Sequence, residues 1–583
     1  MIKLSKRGLA AYSKGLLLLV LLLAVQAITS LLLPSLMSRI INFGVINGDM
    51  DYILRTGVIM LGVAVVSSAA SIGVGYFASS VSVGFCTDIR KKLFHHVDKF
   101  TLAEFDIVSS GSLTTRATND ILQIQNFMIM LLRVVVLAPI MCIGGVILSL
   151  LANLRLGIVV IACMPVILVF LIVIIRKVYP LFQSMQVKLD RVNQIIKENI
   201  TGVRVVRAFT AEQREIARFE EANTDMTDVS IKSQLKIATI MPILMLIVNL
   251  GTVAVVWAGG TQISSGSMQV GNMMAIIQFL VLIMYSLLMM ALVFAMMPRA
   301  SVCADRLNEV FAIEPQITNP QTPKTPEKLT GAVEFKNVAL SYGDSPQPAI
   351  SDISFTANPG ETTAIIGATG SGKSTIICLI PRLRDVTKGT VTVDGVDVRD
   401  YDIDALRSRI GYVPQASNLF SGTIASNIAY INEDLSDEKI TRAAKIAQAE
   451  EFIKDKKQKY DDPIAQGGTN VSGGQRQRLA ISRAIATEAD ILIFDDSFSA
   501  LDFKTDASLR QALRDNTDHA TIIIVAQRIN TILNADKILV LDKGKIVGTG
   551  THNELMKTCP IYEDIARTQM SLTSDAVPGK VVS

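Results

Sequence analysis

Long apolar runs fill the first half of the chain, and six of them are long enough to cross a bilayer. A membrane-spanning helix needs about 20 predominantly apolar residues. The first run, "GLLLLVLLLAVQAITSLLLPSLM", is longer than the apolar region of a signal peptide and ends in no small-residue cleavage site, so it predicts an anchor. We place the spans at residues 15–37, 57–84, 127–152, 156–175, 237–259 and 270–297.

The connections between these runs are unequal in length and charge. The two longest follow the second and fourth spans, and both are basic and helix-like, as in "DIRKKLFHHVDKF". The positive-inside rule puts them in the cytoplasm with the N-terminus, and an even number of spans returns the chain there. Ordinary loops are one interpretation. The sharper one is that the spans continue as rigid helices whose tips, near 102–111 and 209–219, touch a cytoplasmic domain.

The pattern changes to that of an α/β domain after the proline-rich stretch "EPQITNPQTPKTPEKLTG". Prolines among polar residues indicate an extended linker. We therefore divide the chain into a membrane domain (1–313), a linker (314–330), an α/β domain (331–567) and a polar tail (568–583). The predicted fold class is an all-α membrane domain of six helices with long cytoplasmic extensions, followed by an α/β phosphate-loop domain with a helical subdomain.

Composition supports a membrane protein and narrows the partners. Half of the 583 residues are hydrophobic and only 19% are charged. The net charge of +4 is small and its basic residues are spread out, so we predict no nucleic acid partner. Six scattered cysteines, without CxxC pairs, indicate small apolar side chains rather than disulfides or a zinc site.

One motif in the α/β domain predicts a site for ATP and Mg²⁺. "GATGSGKST" matches GxxxxGK[ST], follows the apolar strand "TTAIIG" and precedes the apolar helix "TIICLI". Glycines let backbone N–H groups converge on phosphate oxygens. Lys373 is placed for the β and γ phosphates, Ser374 for Mg²⁺, and Asp495 at the end of "ILIFDD" for the same ion. The loop residues are Gly367, Thr369, Gly370, Ser371, Gly372, Lys373, Ser374 and Thr375.

Further motifs stand in a fixed order around this loop. Tyr342 precedes it, while "GYVPQ", "VSGGQRQR", "SALD" and "IIIVAQR" follow it. With the six spans, this order resembles ABC exporter half-transporters, in which one membrane domain is fused to one ATP-binding domain. The resemblance extends from the first span to about residue 565, and kinases and GTPases lack this combination of motifs.

The resemblance implies a role for each motif. Tyr342 corresponds to the tyrosine that stacks on adenine, and Gln415 to a glutamine that meets Mg²⁺. Asp502 corresponds to an aspartate that links two ATP sites across a dimer. The signature residues cap the ATP held by the other subunit, and they are Ser472, Gly473, Gly474 and Gln475. A single half-transporter therefore needs a second one.

Two residues depart from the family pattern at the positions that carry the chemistry. The family has a glutamate where this chain has Asp496, and a histidine where it has Gln527. The aspartate arm is shorter by one C–C bond, roughly 1.5 Å, and a misplacement of about 1 Å can cost on the order of a hundredfold in rate. Glutamine cannot carry the charge of an imidazole. We expect a site that binds ATP and hydrolyses it poorly.

The signature is intact apart from Val471 in place of the usual leucine. That combination resembles the degenerate-site subunit of a heterodimeric bacterial multidrug exporter, whose partner supplies the glutamate. A homodimer with drifted residues, a lipid or peptide exporter of the same fold, and a regulatory subunit that transports nothing are the alternatives. The expected location is the cell membrane, with the ATP-binding domain in the cytoplasm.

The membrane half gives two hints about the transported compound. Its interior has few charges, which argues against a small ion and favours a hydrophobic or amphipathic compound. Methionine suits adaptable apolar surfaces, although packing or lipid contact explains it equally. The methionines of span six are Met273, Met274, Met284, Met289, Met290, Met296 and Met297. The polar and aromatic candidates for a cavity are Gln26, Asn249, Trp257, Gln278 and Tyr285. Hydrogen bonding between helices or a position at the membrane interface would explain any of them equally.

Overall fold

The computed structural model describes residues 9–343, 345–517 and 519–574. The N-terminal residues that we assign to the cytoplasm (1–8) and the end of the predicted tail (575–583) lie outside the described residues. The chain divides into two compact units. The first comprises the residues up to Lys99 and Val108–Glu314, and the second comprises Phe100–Ile107 and the chain from Pro315 onward.

In the described residues of the N-terminal half, all regular secondary structure is helical. In chain order its α-helices are α1 (Ser13–Arg39), α2 (Met50–Val97), α3 (Leu102–Ile107), α4 (Ser110–Thr115), α5 (Ile121–Ala152), α6 (Leu154–Thr201), α7 (Val203–Ala208), α8 (Glu212–Ala238), α9 (Ile240–Ser264) and α10 (Val270–Ala312). A 3₁₀ turn precedes α1 (Leu9–Tyr12), and π-helical turns follow α1 (Ile40–Val45) and α4 (Arg116–Asp120). Helix α3 belongs to the second unit, and the others belong to the first.

Six helical segments of the described chain are long and apolar enough, by length and composition, to cross a membrane. They are Ala10–Val45, Met50–Val97, Ser110–Ala152, Leu154–Thr201, Glu212–Ser264 and Val270–Ala312. Helices suit this environment because all their backbone hydrogen bonds are internal. The second and fourth segments have 48 residues each, more than the roughly 20 that a bilayer requires. The predicted fold class of six apolar helices followed by an α/β domain is confirmed.

A polar cluster joins the end of α1 to the start of α10 inside the first unit. Asn42 lies in the π-helical turn, and its Oδ1 accepts the Gly271 N–H at 2.7 Å. The Asn42 amide donates to Asn272 Oδ1 at 3.1 Å, and the Ser38 hydroxyl donates to the same oxygen at 2.8 Å. A Cβ on Gly271 would lie 2.3 Å from the Ser38 carbonyl oxygen. The close approach of the two helices therefore requires glycine at this position.

Within its described residues, the second unit is built on three β-sheets. Its strands are β1 (Val333–Leu340), β2 (Ile350–Ala357), β3 (Thr362–Gly367), β4 (Lys388–Val393), β5 (Val396–Asp397), β6 (Ile410–Val413), β7 (Gly422–Thr423), β8 (Pro463–Ile464), β9 (Ile491–Asp495), β10 (Thr521–Ala526), β11 (Lys537–Asp542) and β12 (Lys545–Gly550). The strand orders are β2-β1-β4-β5, β12-β11-β3-β10-β9-β6 and β7-β8. The six-stranded sheet is parallel except for the pairing of β11 with β12.

Continuous apolar runs explain the centre of this sheet. Strands β9 ("ILIFD") and β10 ("TIIIVA") are buried at every position, as expected for strands covered on both faces. Parallel pairing sets Val525 opposite Asp495, and Ala526 opposite Ile366. The carboxyl ends of β3, β9 and β10 therefore meet at one edge, which is where open α/β sheets bind ligands.

Helices pack on both faces of the six-stranded sheet. They are α11 (Lys373–Leu379), α12 (Ile403–Arg407), α13 (Ile424–Ile428), α14 (Asp437–Ile446), α15 (Glu450–Lys454), α16 (Gly473–Ile485), α17 (Phe503–Asn516), α18 (Ile529–Ile532), α19 (His552–Thr558) and α20 (Pro560–Ser574). Our sequence division ended the domain at residue 567, but α20 continues to Ser574 and Gln569 is bound to the chain around α18. The predicted boundary at residue 567 therefore falls inside this helix.

A buried ion-pair network ties the first strands of the second unit to the six-stranded sheet. The Arg409 guanidinium donates to Asp394 at 2.8 Å and to Asp490 at 2.7 Å. Asp394 also accepts hydrogen bonds from Thr330 and from the Ala332 N–H. Burial opposes ionisation of Asp394, but these hydrogen bonds outweigh it and hold its pKa below the ordinary value.

Arg409→Leu is expected to destabilise the second unit by about 3–5 kcal/mol, because it leaves the buried Asp394 charge without its partner. Thermal unfolding of the full-length chain in detergent would measure the change. Lys324→Ala, which removes an exposed pair with Asp400, is the control and should change little. A lowered folded-state pKa stabilises the fold above the unfolded value near 3.9 and loses that effect on further acidification. An Arg409→Leu protein as stable as wild type at neutral pH would contradict this account.

Candidate functional site

The phosphate loop occupies the turn between β3 and α11. Gly370 and Gly372 have φ values of +82° and +100°, which residues other than glycine rarely adopt. A Cβ on Gly372 would lie 2.5 Å from Ile350 Cγ2, and one on Gly367 would lie 2.2 Å from the Leu541 carbonyl oxygen. The loop is therefore built of bare backbone where it turns most tightly.

The ammonium group of Lys373 contacts the backbone of the phosphate loop. Lys373 Nζ donates to the carbonyl oxygens of Gly367 and Ala368, both at 2.8 Å. Burial lowers the pKa of Lys373, and the negative charges of Asp496 and Asp495 oppose that shift. The Ser371 hydroxyl is buried and has no hydrogen-bond partner among the described residues. A lysine ammonium, an unpartnered hydroxyl and exposed loop backbone fit a triphosphate.

Asp495 and Ser374 form the oxygen pair expected for Mg²⁺. Asp495 ends β9 and is buried, and the Ser374 hydroxyl donates to its Oδ1 at 3.1 Å. Burial raises the pKa of Asp495, while the Ser374 hydrogen bond acts in the opposite sense. Oxygen donors suit Mg²⁺, which also keeps several waters. Ser374, Asp495 and the Gln415 amide would hold this ion beside the triphosphate, where it would neutralise charge that develops during phosphoryl transfer.

Asp496 is held by two amide groups. Gln527 Nε2 donates to Asp496 Oδ2 at 2.9 Å, and Gln415 Nε2 approaches the same oxygen at 3.4 Å. The backbone of Asp496 is in the left-handed region, with φ +48°, which non-glycine residues adopt uncommonly. Burial raises the pKa of Asp496, although hydrogen bonding and the Lys373 charge oppose this. The two residues that depart from the family pattern are therefore direct hydrogen-bond partners.

Gln569 of helix α20 supports the backbone at Gln527, a contact that was not predicted from the sequence. Gln569 Nε2 donates to the Gln527 carbonyl oxygen, and its Oε1 accepts the Ile529 N–H, both at 2.8 Å. Both ends of one amide are thus used to fix the backbone that carries Gln527. No local motif marks Gln569, because its role depends on how α20 packs.

Tyr342 lies next to the phosphate loop. Its hydroxyl is 2.8 Å from Thr375 Oγ1, and its side chain remains 41% exposed. The Arg384 guanidinium carbon lies 4.7 Å from the centre of the tyrosine ring. Arg384 is a second residue that sequence reasoning missed.

The signature residues lie at the start of α16. Ser472 caps this helix: its Oγ accepts the Gln475 N–H at 3.2 Å, and Gln475 Oε1 accepts the Ser472 N–H at 3.1 Å. This reciprocal pair is a capping box. Asp502 caps α17 in a similar way, accepting the Thr505 N–H at 3.0 Å. Within the described residues, the side-chain hydrogen bonds of Ser472, Gln475 and Asp502 are local and do not reach the phosphate loop.

The site and fold define a membrane-embedded transport ATPase. A family model described as "ABC transporter transmembrane region" matches residues 16–287, and one described as "ABC transporter" matches residues 350–499. The chain is 41% identical over 573 residues to an uncharacterized ABC transporter ATP-binding protein of Mycobacterium tuberculosis, covering 98% of each chain. It is 30% identical over 559 residues to the ATP-dependent lipid A-core flippase of Vibrio vulnificus, covering 96% of each.

The chain belongs to the ABC transporter family. Its fold is similar to that of a bacterial Atm1-family ABC exporter solved with ATP bound, with a TM-score of 0.79 over 98% of this chain and 100% of the other, at 24% identity. It is an ABC half-transporter, in which a membrane domain is fused to an ATP-binding domain.

Gly372→Ala is expected to weaken ATP binding more than tenfold, because its Cβ would displace Ile350 and strain the loop. Fluorescent-nucleotide titration of the full-length chain would measure the affinity. Gly395→Ala is the matched control: Gly395 also has positive φ (+77°), but a Cβ there meets nothing within 4 Å. The control should keep its ATP affinity, and equal losses in both variants would contradict the steric argument.

Proposed function

We propose that this chain is the ATP-holding subunit of an asymmetric ABC exporter. Its own site binds ATP and Mg²⁺ and hydrolyses slowly, while its signature completes the active site of a different half-transporter. The single observation that carries this proposal is the hydrogen bond from Gln527 to Asp496.

A general base needs a free lone pair directed at the attacking water. Each carboxylate oxygen has about two acceptor positions. The Gln527 and Gln415 amides both point at Asp496 Oδ2, so that oxygen has little capacity left for a water. The short side chain and the left-handed backbone of Asp496 give Oδ1 little freedom to reach the attacking water instead. Geometry and occupancy therefore both argue against fast hydrolysis at this site.

The intact signature supports the second half of the proposal. Ser472 and Gln475 form their capping box, so the start of α16 is ordered as a surface that can meet a triphosphate. Gly473 carries no side chain there, and a Cβ at its position would meet no atom within 4 Å. The Ser472–Gln475 segment is thus available to cap an ATP bound by a partner subunit.

We propose a hydrophobic or amphipathic cargo, moved out of the cell with the ATP-binding domain on the cytoplasmic side. Similarity to a lipid A-core flippase gives specific support for lipid-like molecules as the alternative to drugs. Trp257 and Tyr285 lie at the surface of the first unit, with 79% and 55% of their residue surface exposed. Four of the span-six methionines, however, pack against apolar clusters, which favours a structural role for them; these are Met273, Met284, Met290 and Met296.

Asp496→Glu combined with Gln527→His is expected to raise ATP hydrolysis by the purified full-length chain about tenfold to a hundredfold. The glutamate side chain reaches further than that of Asp496, and replacing Gln527 removes the amide that donates to the carboxylate. Steady-state phosphate release would measure the change. Gln527→Asn, which keeps an amide, is the control and should not accelerate turnover.

Coexpression with a partner half-transporter completes this test. In the complex, Ser472→Ala should lower turnover at least tenfold, whereas Asp496→Asn should change it less than twofold, because hydrolysis occurs at the partner's ATP. Full hydrolysis by the wild-type chain alone would support a homodimer instead and would overturn the asymmetric proposal.

Transport by the complex in proteoliposomes should depend on ATP and act on hydrophobic dyes. A parallel assay with a fluorescent phospholipid separates the two cargo classes, with Lys373→Ala vesicles as the inactive control. Movement of the lipid alone would favour the lipid exporter. ATP-dependent movement of neither probe, in vesicles that hydrolyse ATP, would favour the regulatory alternative.

A further inference from the structure

Arg384 contacts two groups that are far apart in the sequence. Its guanidinium forms an ion pair with Asp106 of helix α3, and it lies over the ring of Tyr342 with 4.7 Å between guanidinium carbon and ring centre. The arginine side chain is only 17% exposed, whereas that of Asp106 is 68% exposed. The guanidinium therefore lies between the tyrosine next to the phosphate loop and a helix that follows the second membrane span.

Helix α3 is anchored in the second unit at a different point. Glu104 is 1% exposed, and its Oε1 accepts the Gln316 N–H at 3.0 Å. Its Oε2 accepts the Thr101 N–H at 2.6 Å, which closes the start of the helix. Glu104 thus fixes helix α3 to the backbone at Gln316, and Asp106 links the same helix to Arg384.

The ring of Tyr342 is constrained in two ways. Its hydroxyl is bound to Thr375 of the phosphate loop, and Arg384 covers one face. A nucleobase can stack only on the face that the guanidinium leaves open. Arginine suits this place because its planar group can stack on a ring and bind a carboxylate at the same time. The orientation of the stacking surface therefore depends on Arg384.

We infer that Arg384 is a positioning residue that makes adenine binding at Tyr342 depend on Asp106 of helix α3. The inference rests on the proposed function, since it takes Tyr342 as the residue that stacks on the base. Displacement of α3 removes the carboxylate that holds the guanidinium, and the tyrosine then loses a cation on one face. The affinity for the adenine base then falls, while phosphate binding by the loop is unchanged.

The experiment compares two probes of the full-length chain in nanodiscs: MgATP and magnesium tripolyphosphate, each competing with a fluorescent nucleotide. Tripolyphosphate occupies the loop without a base, so only ATP reports on Tyr342. The variants are Asp106→Asn, Arg384→Leu, Arg384→Lys and the double Asp106→Asn/Arg384→Leu. Asp400→Asn removes an exposed ion pair of the same unit and is the matched control.

We expect Asp106→Asn and Arg384→Leu each to weaken ATP binding roughly threefold to tenfold, with tripolyphosphate binding unchanged. The double variant should bind ATP no more weakly than Arg384→Leu alone. Arg384→Lys keeps the charge for Asp106 but not the planar group, and it should give an intermediate affinity. Asp400→Asn should match wild type.

Wild-type ATP affinity in Asp106→Asn would overturn the inference, as would additive losses in the double variant. Equal losses of ATP and tripolyphosphate would also overturn it, because they indicate a general disturbance of the loop. A wild-type chain that binds neither probe would overturn the proposed function itself, and this inference with it. The two failures are therefore distinguishable.

Discussion

Parallel pairing of three buried strands is the constraint on which the ATP site depends. β3 lies between β10 and β11, and β10 pairs with β9. Because parallel strands end at the same edge, the phosphate loop, the two aspartates and Gln527 become neighbours although they are distant in sequence. A register shift of one residue in such a sheet would turn each side chain to the opposite face. The hydrogen bond between Gln527 and Asp496 exists only in this register.

The features that could be predicted from the sequence are those that short-range physics determines. The bilayer thickness requires long apolar runs, so the spans were visible in the pattern of residues. The phosphate loop needs glycines at fixed offsets between a strand and a helix, and Gly370 and Gly372 have the positive φ values that this implies. Asp495 follows from its place at the end of an apolar strand, and its contact with Ser374 agrees with that expectation.

The rest could not be predicted because it depends on long-range packing. Nothing in the sequence near Gln569 indicates that its amide supports the backbone at Gln527. Arg384 looks like an ordinary surface cation in sequence, although it has a carboxylate from helix α3 on one side and an aromatic ring on the other. The direct hydrogen bond between Gln527 and Asp496 was also not predictable, because it depends on the pairing of β10 with β9.

A subunit that binds ATP can act on a membrane domain without hydrolysing the nucleotide. A ligand shifts a conformational equilibrium by the difference in its affinity for the two states, so binding energy alone is sufficient. By linkage, any contact through which helix α3 alters ATP affinity also lets ATP alter that helix. The route from Tyr342 through Arg384 to Asp106 involves none of the groups needed for hydrolysis. The proposed slow hydrolysis at Asp496 and the inferred dependence of adenine binding on α3 are therefore compatible, because the first concerns the γ-phosphate end of the nucleotide and the second concerns its adenine end.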